Sequence, residues 1–193
     1  MDSRNGLGEY RRKRNFGKTA EPRGASRARK GRALSFVIQQ HHARRLHWDF
    51  RLEFEGVLKS WAVTREPNLN PADRHLAIET EDHPLEYGSF HGKIPAGEYG
   101  AGTVKIWDRG TYEPKLLSVP SRSQRGRPRG MKEMLRDGLV EVTLRGKKLR
   151  GRFVLVRTRG EGARSQWLFF KAKPKPVGLR IPEIGPSRRA QKR

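Results

Sequence analysis

The stretch QQHHARRLHWDFRLEFEG, residues 39–56, gathers three histidines, an aspartate, three arginines and a tryptophan. His47 and Asp49 stand at i and i+2, so on a strand they project the same way with Cα atoms about 7 Å apart. Two side chains at that distance can close around one ion. His41, at the end of the preceding run SFVIQQ, would complete a set of two histidines and one carboxylate. Such a set leaves coordination positions open to water or substrate oxygens and suits divalent ions of the manganese and iron type. Nitrogen ligands with one carboxylate also accept zinc. Arg51, one strand step beyond Asp49, has a guanidinium that can take a phosphate through two N–H groups. The same letters also describe an ordinary amphipathic strand with a charged solvent face, on which Arg51 pairs with Glu53 or Asp49. The spacing alone leaves both readings open.

A second cluster, ETEDHPLEYGSFHG at 79–92, holds His83, Tyr87 and His91 among four carboxylates, and Pro84 favours a loop there over a helix. With an ordinary pKa of about 6.5, His83 suits protonation of a leaving oxygen or stabilisation of charge on phosphorus. A lone loop histidine is more often structural. GKIPAGEYGAG at 92–102 matches neither the phosphate-binding loop nor the dinucleotide fingerprint, and reads as a turn-rich corner.

These groups need a scaffold that aligns them. Alternation in HWDFRLEF puts Trp48, Phe50, Leu52 and Phe54 on one face and His47, Asp49, Arg51 and Glu53 on the other. His41 falls in phase with the second face, whereas His42 points away. Similar β-prone runs recur as SFVIQQ, VLKSWAV, HLAIET, GTVKIW, LVEVTL, RFVLVRT and QWLFFKA, giving eight candidate strands. Short links at Glu55-Gly56, Asp108-Arg109-Gly110 and Arg145-Gly146 join antiparallel neighbours, so a mainly β barrel or sandwich is expected. One short helix is expected at 130–138, stopped by Gly138.

The 193 residues allow one domain. Residues 1–32 form a basic, partly flexible arm, 33–173 the β domain with a basic loop at 115–130, and 174–193 a basic tail containing prolines. The absence of cysteine excludes disulfides, thiolate metal sites and cysteine nucleophiles. With no long apolar run and no leader pattern, a soluble, cytoplasmic, nucleoid-associated protein is expected, not a membrane protein. The net charge of +23 and pI near 11.3 point to a polyanion, nucleic acid ahead of an anionic membrane. All six histidines fall in the net acidic segment 33–114, and the excess lysine and arginine flank it.

Taken together, FVIQQHHARRLHWDFRLEFEGVLKSWAV, TEDHPLEYGSFHGKIPAGEYGAG and WDRGTYEP closely resemble the 3′-phosphoesterase domain of bacterial DNA ligase D. The resemblance implies a compact antiparallel β-barrel with a few short flanking helices. It also implies a manganese-dependent site, with zinc or cobalt as other candidates, that trims 3′ ends of primer-template DNA in end-joining repair. By resemblance His41, His47 and Asp49 are the metal ligands, Arg51 and His83 engage the scissile phosphate, and Tyr87 supports the site. It assigns further phosphate contacts to Arg65 and His75, where the family has lysine and arginine. It links Arg14, Asn15 and Glu21 to removal of 3′-terminal ribonucleosides, with Asn15 replacing an aspartate.

The adenylation and polymerase motifs of the larger family members are lacking, so a stand-alone, monomeric phosphoesterase is expected. It would meet separate polymerase, ligase or end-binding proteins. The rival reading is a non-catalytic DNA-end-binding module that keeps the barrel; it requires neither turnover nor metal dependence.

Overall fold

The computed structural model describes residues 6–24, 31, 33–115 and 130–174. The basic loop expected at 115–130 falls outside the described residues except at its two ends, and the tail at 174–193 except at its first residue. No helix among the described residues is long and apolar enough to cross a membrane.

Each of the eight β-prone runs forms a strand. The strands are β1 (Ser35–His42), β2 (Leu46–Phe54), β3 (Val57–Val63), β4 (His75–Glu79), β5 (His83–Pro84), β6 (Gly92–Ile94), β7 (Gly102–Pro114), β8 (Leu139–Arg145), β9 (Arg150–Arg159) and β10 (Gln166–Lys171). The sheet runs β1-β2-β3-β4-β10-β9-β8-β7, and β7 pairs back onto β1, closing an eight-stranded antiparallel barrel. Closure leaves no open edge among these eight strands. The two-residue β5 pairs with β3 and the three-residue β6 with β7. Inward-facing Phe36, Ile38, Phe50, Leu52, Trp61, Val142, Phe153, Trp167 and Phe169 fill the interior.

Local chemistry explains the joints. Glu55 and Gly56 both take positive φ, 46° and 84°, the geometry of a tight two-residue hairpin between β2 and β3. Helix α2 (Met131–Asp137) ends as expected at Gly138, which is left-handed with φ 73°, and buries Met131 and Met134 against the barrel core. The link expected at Asp108-Arg109-Gly110 does not form, because these residues continue β7 through a register shift opposite Ile38 and Gln39. The Asp108 carboxylate instead accepts hydrogen bonds from the backbone N–H groups of Lys147, Lys148 and Leu149 at 2.9, 3.2 and 2.8 Å. A side chain at Gly110 would run into the Arg145 carbonyl, so that glycine permits close strand approach. A turn-like composition here serves a different turn, brought near by the barrel.

The arm also departs from its composition. Helix α1 (Gly8–Arg12) and the segment up to Gly24 lie on the outside of the barrel, where Leu7 and Tyr10 pack with Val57, Leu58 and Tyr87. Composition suggested too little apolar surface for order, but two anchors and a set of buried ion pairs supply it. This second cluster covers the outer face of β2, so Asp49 and Arg51 are buried as fully as the apolar residues beside them.

Candidate active site

The β1–β2 register places His41 directly opposite His47 and Gln39 opposite Asp49. All four face outward from the core, beneath the arm and the segment 80–100. The His41 Nε2–H donates to the Gly100 carbonyl and the His47 Nδ1–H to the Arg45 carbonyl, each at 2.9 Å. A carbonyl only accepts, so in the neutral rings the lone pairs sit on His41 Nδ1 and His47 Nε2. Those two atoms lie 3.5 and 3.6 Å from opposite oxygens of Asp49. One ligand atom from each of the three residues falls within 4.8 Å of the others. Two lone pairs and an anionic oxygen converging this way form a donor set suited to a divalent cation, with outer carbonyls fixing both rings.

Asp49 is ionised here. Burial works against its charge, but the Arg51 guanidinium, with Nη2 at 3.1 Å, outweighs it and holds its pKa below the ordinary carboxylate range. Arg51 is itself only 2% exposed. Its Nε donates to Gln39 Oε1 at 2.7 Å, while Gln39 Nε2 donates to the carbonyls of Tyr87 and Phe90. The remaining Nη1 is buried without a hydrogen-bond partner. A buried, unsatisfied cationic donor is costly, and an anion beside it would offset that cost.

On the far side, Arg14 of the arm reaches in. Its guanidinium donates to Glu21 Oε1 at 2.8 Å, to Glu81 Oε1 and the Tyr10 carbonyl at 3.0 Å, and to His83 Nε2 at 3.2 Å. Glu81 also accepts from Lys13 at 3.0 Å; burial opposes its charge, but Lys13 and Arg14 keep its pKa low. Tyr87, whose hydroxyl stays protonated because of burial, donates to Glu21 Oε1 at 3.0 Å. His83 Nδ1–H donates to the Glu81 carbonyl at 2.8 Å, which leaves Nε2 to accept from Arg14. Burial first, then the Arg51 and Arg14 cations, push the His83 pKa well below its ordinary value, so the ring is neutral.

That shift has a consequence for stability. The unfolded chain binds a proton at His83 near pH 6.5, whereas the folded protein resists it. The unfolded state therefore holds more protons below about pH 6.5, and stability present above that pH is lost on acidification. The buried His75 is shifted the same way, by burial first. Chemical denaturation at about pH 7.5, 6.5 and 5.5 should show a falling unfolding free energy. His83→Gln should flatten part of the slope.

His41, His47, Asp49, Arg51, Arg14, His83 and Tyr87 line one cavity of about 180 Å³, joined by Glu81, Tyr99 and Gly100. A larger groove of about 700 Å³ elsewhere, lined by residues such as Ser35, Glu53, Arg109 and Lys147, contains none of the histidines. The smaller cavity is the one with chemistry. Other expected residues stay out of it. Arg65 is exposed beyond β3, and His75 sits opposite Phe169 on the core side of β4. Neither lines the cavity: strand phase turns His75 to the core face of β4, and Arg65 lies past the end of β3. His91 is exposed, with Nδ1 on the Ser89 carbonyl. Asn15 is exposed, with its side chain accepting the Gly17 N–H at 3.1 Å. Gln39 and Glu81 were not singled out from sequence. Gln39 had a readable signal, being in phase with His41; Glu81 had only its membership of a carboxylate cluster.

A sequence profile described as "DNA Ligase D 3'-phosphoesterase domain" matches residues 39–157. The chain belongs to this family. The multifunctional non-homologous end joining protein LigD of Pseudomonas aeruginosa is 46% identical over 174 residues, covering 90% of this chain and 19% of that protein. The LigD proteins of Mycobacterium tuberculosis and Mycolicibacterium smegmatis are 46% and 44% identical over 167 residues, in each case 86% of this chain and 20% of the relative. The chain thus spans about one fifth of the length of these relatives. In this phosphoesterase-family chain, the matched segment contains the whole β1–β2 ligand face, His83 and Tyr87, whereas Arg14 and Glu21 come from the arm that precedes it.

Proposed function

We propose that this chain is a divalent-metal-dependent phosphoesterase that removes the phosphate from DNA 3′ ends during end joining. The observation that carries the reading is the meeting of three metal-type ligand atoms with the unpaired Arg51 Nη1 at one small cavity. His41, His47 and Asp49 would hold the ion, manganese first and zinc or cobalt as alternatives. When bound, it supplies positive charge against a non-bridging phosphate oxygen and weakens the bond to the 3′ oxygen.

The chain's own groups divide the remaining work. Arg51, oriented by Gln39 and Asp49, binds the phosphate, and Arg14 lies across the cavity as a second cation. His83 enters without a spare proton, so its assigned part is to accept from Arg14 and hold that guanidinium in place, not to act as the acid. In hydrolysis a water oxygen forms a new bond to phosphorus and the bond to the 3′ oxygen breaks. The attacking water gives up one proton and the departing 3′ oxygen takes one from solvent, giving inorganic phosphate and a 3′ hydroxyl. The exposed position of Asn15, away from the cavity, favours phosphate removal over ribonucleoside removal.

The excess of lysine and arginine would hold the DNA through its phosphates, giving salt-dependent affinity without a base code. The test is phosphate release from a primer-template bearing a 3′ phosphate, with manganese and after chelation. Release that requires the metal supports the reading. DNA binding without release at high enzyme concentration would instead favour an end-binding module.

A further inference from the structure

Tyr99 is 49% exposed, while every other tryptophan, tyrosine and phenylalanine of the chain is buried or half-buried. It stands on the rim of the His41–Asp49 cavity. Its position is firmly set. Glu98 N–H donates to the Pro95 carbonyl and Ala101 N–H to the Glu98 carbonyl, making a closed turn around it. The next residue, Gly100, offers the carbonyl that orients His41. Lys13 Nζ reaches the Tyr99 hydroxyl at 3.3 Å and lies 4.7 Å from the ring centre.

We propose that Tyr99 is the platform on which the 3′-terminal nucleobase of the DNA stacks. The inference rests on the reading of the cavity as the phosphate site. A terminal base is one sugar away from a 3′ phosphate, so a phosphate on Arg51 brings the base to the cavity rim. An exposed aromatic ring there can take the face of any of the four bases. Tyr99 would act as a positioning residue that sets which ends are engaged, favouring a terminus with a base over an abasic one.

The experiment compares two primer-templates with a 3′ phosphate, identical except that one ends in a normal nucleotide and the other in an abasic deoxyribose. Equilibrium binding by fluorescence anisotropy and KM for phosphate release are measured for wild type, Tyr99→Ala, Tyr99→Phe and Tyr99→Trp. Wild type should prefer the base-bearing end by on the order of tenfold in both readouts. Tyr99→Ala should abolish the preference, and the phenylalanine and tryptophan variants should keep it. A wild type that binds both ends equally, or an alanine variant that retains the preference, overturns the proposal. If binding shows the Tyr99-dependent preference but no variant releases phosphate, the platform stands and the phosphoesterase reading falls.

Discussion

Asp49→Asn is expected to lower phosphate release by on the order of a thousandfold, the scale of losing charge complementarity at a preorganised site. The asparagine keeps the shape but removes the anionic ligand between His41 and His47. It should also destabilise the fold, because Arg51 is buried and Asp49 is its ion-pair partner. Leaving one charge of a buried pair uncompensated costs about 3–5 kcal/mol. The two losses separate in a double variant. Asp49→Asn combined with Arg51→Met removes both charges, so urea denaturation should show most of the stability restored while release stays absent. Unchanged release by Asp49→Asn, with metal dependence intact, would remove Asp49 from the ligand set.

Arg14→Ala should have the largest effect on the arm. It takes the shared cation from Glu21 and Glu81, both buried, and the donor from His83 Nε2. Lys13 still reaches Glu81, but the described contacts of Glu21 are then the hydroxyls of Thr19 and Tyr87. A loss of about 3–5 kcal/mol is expected, concentrated where the arm meets the barrel. Limited proteolysis should then cut within residues 6–24 while the barrel persists. Arg14→Lys should recover only part, since one ammonium cannot span the two carboxylates, the Tyr10 carbonyl and His83 at once. Full resistance of the arm in Arg14→Ala would show that Leu7 and Tyr10 suffice to hold it.

The eight barrel strands were legible as short β-prone runs set between turn residues. Helix α2 was legible from Gly138. The ligand face of β2 could be read for the same reason, as could the opposed behaviour of His41 and His42. Sequence could not reveal that this face is covered. A strand with a charged side reads as half wet, yet the arm and residues 80–100 bury Asp49 and Arg51, which is why the ion pair is strong enough to matter. The misplaced link at Asp108–Gly110 has a similar origin, since a carboxylate that caps a turn nearly forty residues away looks local in sequence. His75 and Arg65 entered through the family resemblance. Strand phase, visible only once β4 paired with β10, turns His75 to the core, and the exposed Arg65 lies beyond the end of β3.

The central claim is that the outward face of β1 and β2 holds a metal for phosphate release. Adjacent histidines on one strand give the most direct test, because His41 is buried toward Asp49 and His42 is exposed on the other side. Phosphate release by His41→Ala and His42→Ala should be measured side by side on a 3′-phosphate primer-template with manganese. The structure predicts near-complete loss for His41→Ala and wild-type release for His42→Ala; equal release by both variants would contradict it.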